Sequence, residues 1–194
     1  MRQRGDDGVD LRFEFGDLRL ECRFFSIQRI EAIHNHAEIQ PVDLAVLVSE
    51  LHQRHHALAA QKRITLRLEI TPPSAIVEGD AAQLREAIDN LIHNAIKYTP
   101  KGGRIHVRAF VQDDRFQYLV EDNGIGIAAE HLPHLFEPYY RIERPETEDI
   151  EGYGVGLNLV KTHAESLGGH VQVESQLGTG TTFKVYVPKL NESK

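Results

Sequence analysis

Apolar residues along the chain switch between two periods, and the switches mark its elements. Residues 9–24 alternate: Leu11, Phe13 and Phe15 share one parity, and Leu18, Leu20, Cys22 and Phe24 share another, with Gly16-Asp17 between them. That pattern predicts a β-hairpin with a two-residue turn. Ile27, Ile30 and Ile33 give residues 26–36 a helical spacing, and a boundary falls near 37–41, where Pro41 punctuates the chain. From Val42 to about Gln61 the positions Leu44, Leu47, Val48, Leu51 and Leu58 form a helical stripe. Residues 64–70 alternate as a half-buried strand and end at Thr71-Pro72-Pro73, and a short strand is expected at Ala75–Val77. Asp80 then stands as an N-cap with Gln83 three residues on, in capping-box spacing. The helix that follows turns Leu84, Ile88, Leu91, Ile92, Ala95 and Ile96 inward and stops before Pro100.

Beyond Lys101-Gly102-Gly103 the period returns to two. Strands are expected at Arg104–Val111 and Arg115–Glu121, joined at Asp113-Asp114, with Asp122 at the far end of the pair. Residues 128–151 carry Pro133, Pro138 and Pro145 and the acids Glu146, Glu148, Asp149 and Glu151, which predicts a loop. A helix from Gly156 to about Leu167, capped by Gly168-Gly169, precedes two last strands, His170–Glu174 and Thr181–Val187. This order predicts an α+β fold of two layers, a mixed sheet covered on one face by helices.

Composition narrows the class. The 194 residues are 41% apolar and 26% charged, which is globular composition. No apolar run reaches the ~20 residues of a membrane span, and Met1–Asp7 lacks the apolar core of a secretory signal. The single cysteine, Cys22, allows no internal disulfide and fits a reducing compartment. A formal charge of −7 argues against general nucleic-acid binding, but a nucleotide held by metal, backbone N–H groups and a few local cations remains compatible with it.

Four polar blocks then stand in series: Asn90–Tyr98, Asp122–Ile127, Gly152–Leu157 and Gly178–Thr182. Asn90 and Asn94, four apart, share one helix face with Lys97 and Tyr98 a turn further on. An amide oxygen there can ligate Mg²⁺ when phosphates bring the charge; a solvated polar face has the same spacing. A carboxylate at Asp122 can accept an adenine amine, although Asp-Asn-Gly is also a common turn. Gly152, Gly154 and Gly156 open a helix without a preceding strand, so they form neither a Rossmann fingerprint nor a P-loop. They still offer a phosphate free N–H groups at a helix start, or serve as a hinge.

In this order the blocks resemble the catalytic, ATP-binding domain of sensor histidine kinases, in the superfamily that also holds the gyrase, Hsp90 and MutL ATPases. Residues 86–98 resemble the N box, 122–126 the G1 box, Leu135–Arg141 the F box, 152–157 the G2 box and 178–181 the closing Gly-Thr-Gly-Thr element. The resemblance covers about residues 40–188. It implies a Bergerat-type two-layer sandwich of about five strands under three helices, spanning 39–190, with 1–38 as a separate N-terminal hairpin and helix, a possible remnant of a sensory or dimerisation region. It implies ATP and Mg²⁺ as ligands. Asn94 would hold the metal, with Asn90 beside it; Lys97 and Tyr98 would meet phosphate and ribose; Asp122 would accept the adenine amine. Gly124 and Gly126 would admit the base, residues 128–151 would form a lid, and Arg141 would reach the γ-phosphate. Gly154, Gly156 and Leu157 would face the phosphates and Thr182 would close the adenine pocket, with Ile127, Tyr140 and Val155 as further nucleotide contacts. Glu151 stands where the family often has glycine, and Val155 where leucine is usual.

The hydrolytic relatives carry a water-activating Glu where this chain has Asn90, which cannot act as a base; Glu86 lies a further turn away. Transfer to an external acceptor is therefore expected. None of the eleven histidines stands in a His-Glu/Asp-x-x-x-Pro setting, so the acceptor is expected on a dimerisation hairpin outside this chain. A response regulator would then be an indirect partner, with this chain a cytoplasmic monomer whose parent could be membrane-anchored. Two alternatives remain: a nucleotide-binding module without turnover, and an anti-sigma-type serine kinase. His52, His55 and His56 share a helix, and a solvated face is expected for them in preference to a metal clasp.

Overall fold

The first helix needs a cap, and Asp43 supplies it. The computed structural model describes residues 38–142 and 153–189; the expected hairpin at 9–24, the helix at 26–36 and residues 143–151 of the expected loop lie outside them. Strand β1 (Gln40–Asp43) runs into helix α1 (Leu44–Gln61). The Asp43 carboxylate accepts the amides of Ala45 at 3.0 Å and Val46 at 3.3 Å, and also that of Ala75 at 3.0 Å. So the helix does not begin at Val42 as expected. Val42 is paired instead with Val77 of β3 (Ile76–Gly79) in a small antiparallel sheet. The stripe on α1 also departs from expectation at one place: Leu58 is 38% exposed, whereas His55 and Ala59 are buried. Positions 51, 55 and 59 continue the inner face at four-residue steps, and 58 falls off it.

Helix α2 (Ala81–Tyr98) opens on the Asp80 cap, which accepts Ala82 N–H at 2.8 Å and Gln83 N–H at 3.0 Å. Leu84, Ala87, Ile88, Leu91, Ile92, Ala95 and Ile96 are buried. The helix ends against a cation: Lys62 Nζ donates to the carbonyls of Ile96 at 2.7 Å and Lys97 at 3.0 Å, satisfying C-terminal acceptors at the negative end of the dipole.

The main sheet has the order β2-β4-β5-β7-β6, from β2 (Thr65–Thr71), β4 (Arg104–Gln112), β5 (Arg115–Asp122), β6 (His170–Gln176) and β7 (Gly180–Pro188). β2 and β4 are parallel and the other pairs antiparallel, so the sheet is mixed. Asp113 and Asp114 both adopt positive φ, 51° and 56°, the conformation of a two-residue hairpin turn whose twist matches the strands. Helices α1, α2 and α3 (Gly156–Ser166) cover one face. Ile105, Val107, Phe116, Tyr118, Val120, Phe183 and Val187 meet them in one core. The opposite parity is polar, with Arg108 bridged to Glu121 at 3.1 Å. The two-layer α+β arrangement of five strands and three helices is as expected, with β1–β3 as an added small sheet.

Asp43 ties three amides from two segments, which makes it a test of this packing. Burial raises its pKa, but hydrogen bonds from Ser74, Ala75, Val46 and Ala45 outweigh that and hold the carboxyl below its usual 3.8. The stabilisation is therefore present above that value and lost as pH falls through the lower folded one. Asp43→Ala is expected to lower the unfolding free energy by about 2 kcal/mol, measured by urea denaturation at neutral pH, with the difference from wild type shrinking on acidification.

Candidate nucleotide site

The half-buried face of α2 looks into a cavity of about 350 Å³. Because Asn90 and Asn94 lie opposite the apolar stripe, the packing that buries Leu91, Ile92 and Ile96 necessarily aims both amides there. Lys97 and Tyr98 continue the wall, with Lys97 Nζ 5.2 Å from the centre of the Tyr98 ring. Burial raises the Tyr98 pKa, and the charge of Arg141 opposes it, so Arg141 and the end of α2 flank the same opening.

The floor is set by Asp122, the last residue of β5, paired with Ile105 on one side and Thr181 on the other. Its Oδ1 accepts the Gly124 amide at 2.8 Å. Burial pushes the carboxyl up to about 6, against hydrogen bonds from the Gly124 and Thr181 backbones and with a small addition from the Glu121 charge. Gly180, at φ 135°, makes this contact possible: a Cβ there would lie 2.0 Å from the Asp122 carbonyl oxygen.

The third wall is the start of α3. Val155 caps it without a side-chain hydrogen bond, and its first turn holds no acid, so the helix supplies no side chain of its own to satisfy the N–H groups and dipole at this wall. Gly156 lets this turn close on α2: a Cβ would lie 2.8 Å from Asn90 Oδ1. The segment around Phe136–Tyr139 is tied to the start of α3, because Tyr139 N–H donates to the Gly154 carbonyl at 2.8 Å and Asn158 Nδ2 to the Phe136 carbonyl at 3.0 Å. Tyr140 is fixed in turn by a 2.8 Å hydrogen bond between its hydroxyl and His131 Nδ1.

Of the expected residues, Asn90, Asn94, Lys97, Tyr98, Asp122, Gly126, Ile127, Tyr140, Arg141, Gly154, Val155, Gly156 and Leu157 all line this one cavity. Gly124 stands just behind it, packed under the Tyr98 carbonyl. Gly124 and Gly126 are thus dictated by close approach of the protein's own backbone. Thr182 is not among the residues lining this cavity; its neighbour Thr181 is, and is the more buried of the two. Strand parity decides this, since Thr181 alternates in step with the inward Phe183 and Val187, and that signal was present in the sequence. Glu86 also lines the cavity, one turn before Asn90 on the same face. His55 is no solvated residue; it is buried, and its Nε2 lies 2.9 Å from Asp89 Oδ1 across the α1–α2 seam. Among the described residues no three His, Cys, Asp or Glu side chains are grouped to hold a metal ion.

Residues 79–191 match the family described as histidine kinase-, DNA gyrase B-, and HSP90-like ATPase. The chain belongs to that family. Its relatives include the alginate biosynthesis sensor protein KinB of Pseudomonas aeruginosa, 34% identical over 151 residues, a match covering 78% of this chain and 25% of KinB. The chain therefore spans about a quarter of that relative's length. The mycobacterial sensor histidine kinase MprB superposes with a TM-score of 0.69 at 26% identity, covering 77% of this chain and 98% of that one. Full-length ShkA in complex with AMPPNP gives 0.69 at 26% identity over 82% of this chain and 33% of its own. This is the family's catalytic, ATPase-like domain.

Asp122 gives the site a measurable signature. The folded chain holds the Asp122 proton more tightly than the unfolded chain does. That contribution to stability is complete below the ordinary 3.8 and lost as pH rises through about 6. The cost of ionising it at neutral pH is up to about 3 kcal/mol. In calorimetry without nucleotide, Asp122→Asn is expected to melt above wild type near neutral pH, and to lose that advantage as the pH falls below the ordinary carboxylate range.

Proposed function

We propose that this domain binds Mg²⁺-ATP in the α2–α3 cavity and transfers the γ-phosphoryl group to a histidine on a dimerisation hairpin outside this chain. The observation that carries the reading is the convergence, on one cavity, of an amide-bearing helix face, a buried carboxylate and an open helix N-terminus. Each matches one part of ATP. Asp122 accepts the adenine amine, and a purine without that donor would leave the carboxylate desolvated and unpaired. Lys97 and Tyr98 meet phosphate and ribose. The first turn of α3, opened by Gly154 and Gly156, takes the phosphates, and Arg141 approaches the γ-phosphate from the cavity rim.

The donor set suits a metal that arrives with its nucleotide. With amides at Asn90 and Asn94 and a single carboxylate, Glu86, on that face, much of the charge must come from the triphosphate, and Asn94 is the residue placed to hold the ion. When bound, Mg²⁺ would supply charge neutralisation to the triphosphate. The chain itself contributes position and fixed positive potential. The acceptor imidazole nitrogen forms a bond to Pγ as the Pγ–O bond to the β-phosphate breaks, and ADP leaves. Hydrolysis is poorly served: Asn90 has no basic atom, and Glu86 lies eight residues from Asn94, about 12 Å along the helix.

The domain would act as a monomer docking on its acceptor, with a response regulator receiving the phosphate afterwards. No helix among the described residues is long and apolar enough to cross a membrane, and ATP as substrate places the reaction on the cytoplasmic side.

Mixing the domain with labelled ATP and a purified acceptor hairpin tests this. Acid-labile label on the hairpin is the expected result; acid-stable serine label, or binding without transfer, would replace the reading. Asn94→Ala is expected to reduce transfer by about a hundredfold or more while the thermal midpoint without nucleotide stays near wild type.

A further inference from the structure

Ser175, on β6, is not among the residues lining the cavity, but its hydroxyl joins three groups beside one that is, Thr181. Three contacts meet there. The Ile127 amide donates to Ser175 Oγ at 2.9 Å. The Gly180 carbonyl lies 2.8 Å from the same oxygen, and so does Thr181 Oγ1. A hydroxyl has one proton to give and two lone pairs to receive. The Ile127 N–H can only donate and the Gly180 carbonyl can only accept. If Ser175 gave its proton to Thr181, two oxygens would face each other at 2.8 Å with no hydrogen between them. The arrangement that satisfies all three contacts has Ser175 donating to Gly180 and receiving from both Ile127 and Thr181.

That assignment orients Thr181. The residue is 7% exposed and lines the cavity beside Asp122. With its proton committed to Ser175, its oxygen has only lone pairs left to offer. Asp122, once ionised, also presents only lone pairs. The Asp122 carboxylate and the Thr181 hydroxyl therefore offer acceptors and no donor.

We propose that Ser175 is a specificity-determining positioning residue: by taking the Thr181 proton it fixes Thr181 as an acceptor beside Asp122, so that the site selects a purine carrying an amine at the 6-position and rejects one carrying an oxygen there. This rests on the reading that the base lies against Asp122, and it deepens that reading by assigning the second reading group and what orients it. Without Ser175 the Thr181 hydroxyl is free to turn and donate, and a 6-oxo purine regains a partner.

The test is the ratio of ATP to ITP affinity, measured by calorimetry with Mg²⁺ on wild type, Ser175→Ala, Thr181→Val and the double variant. ITP differs from ATP only at the 6-position and the adjoining ring nitrogen. Wild type is expected to prefer ATP by about a hundredfold or more, and Ser175→Ala to lose about tenfold of that preference. Thr181→Val, which removes the hydroxyl at nearly constant shape, is expected to lose a similar factor, and the double variant no more than Thr181→Val alone. A Ser175→Ala protein that weakens ATP and ITP equally has lost only structure, and that result overturns the proposal. So does a Thr181→Val protein that keeps the full preference, which decides the matter even if Ser175→Ala fails to fold. A folded wild type that takes up no ATP overturns both this proposal and the reading beneath it; ATP uptake with an unchanged ratio in the variants overturns this proposal alone.

Discussion

Helix α2 is the element on which the site depends, because one rigid rod has to satisfy two environments. Its apolar stripe is locked into the core against β4, β5 and α1, and its ends are fixed by Asp80 at one terminus and Lys62 at the other. Once those three constraints hold, the orientation of Asn90 and Asn94 is no longer a free variable. The side-chain amides are delivered to the cavity by the same helical period that buries Leu91 and Ile92. No loop has to be ordered to place them, and little entropy remains to be lost there on binding.

Asp122 is the opposite case. Its position is set by the sheet, and its burial costs stability that the fold supplies from the core. A carboxyl raised to about 6 is one whose ionised form the protein does not fully satisfy by itself; two backbone amides help, and a ligand donor would complete the set. At the end of β5, Gly180 and Gly124 let neighbouring backbone segments approach closely around Asp122. Thr181 and Ser175 extend the same acceptor-rich corner across β7 to β6.

Much of the fold was legible from the one-dimensional pattern, and particular elements say why. The phase and extent of α2 followed from Asp80, the apolar spacing and Pro100, all of which act within a few residues. The β4–β5 hairpin followed from alternation and the Asp113-Asp114 turn. Where the reading failed, the deciding contact was distant in sequence. Val42 left the helix for a strand because Val77 pairs with it and Asp43 caps the helix behind it. His55 went inside because Asp89, on another helix, offers it a partner.

The sequence by itself determined the candidate residues and the local elements on which they lie: amides four apart on a helix, a carboxylate closing a strand, glycines opening another helix. These are short-range properties, governed by backbone period, capping and turn conformation. Only the tertiary structure decided that these pieces share one cavity, that Asp122 is dry enough to resist ionisation, that Gly156 closes on Asn90, and that the Thr181 proton is taken by Ser175. Desolvation and hydrogen-bond polarity depend on every group within a few ångströms, whichever part of the chain supplies it, and a linear pattern carries no record of that proximity.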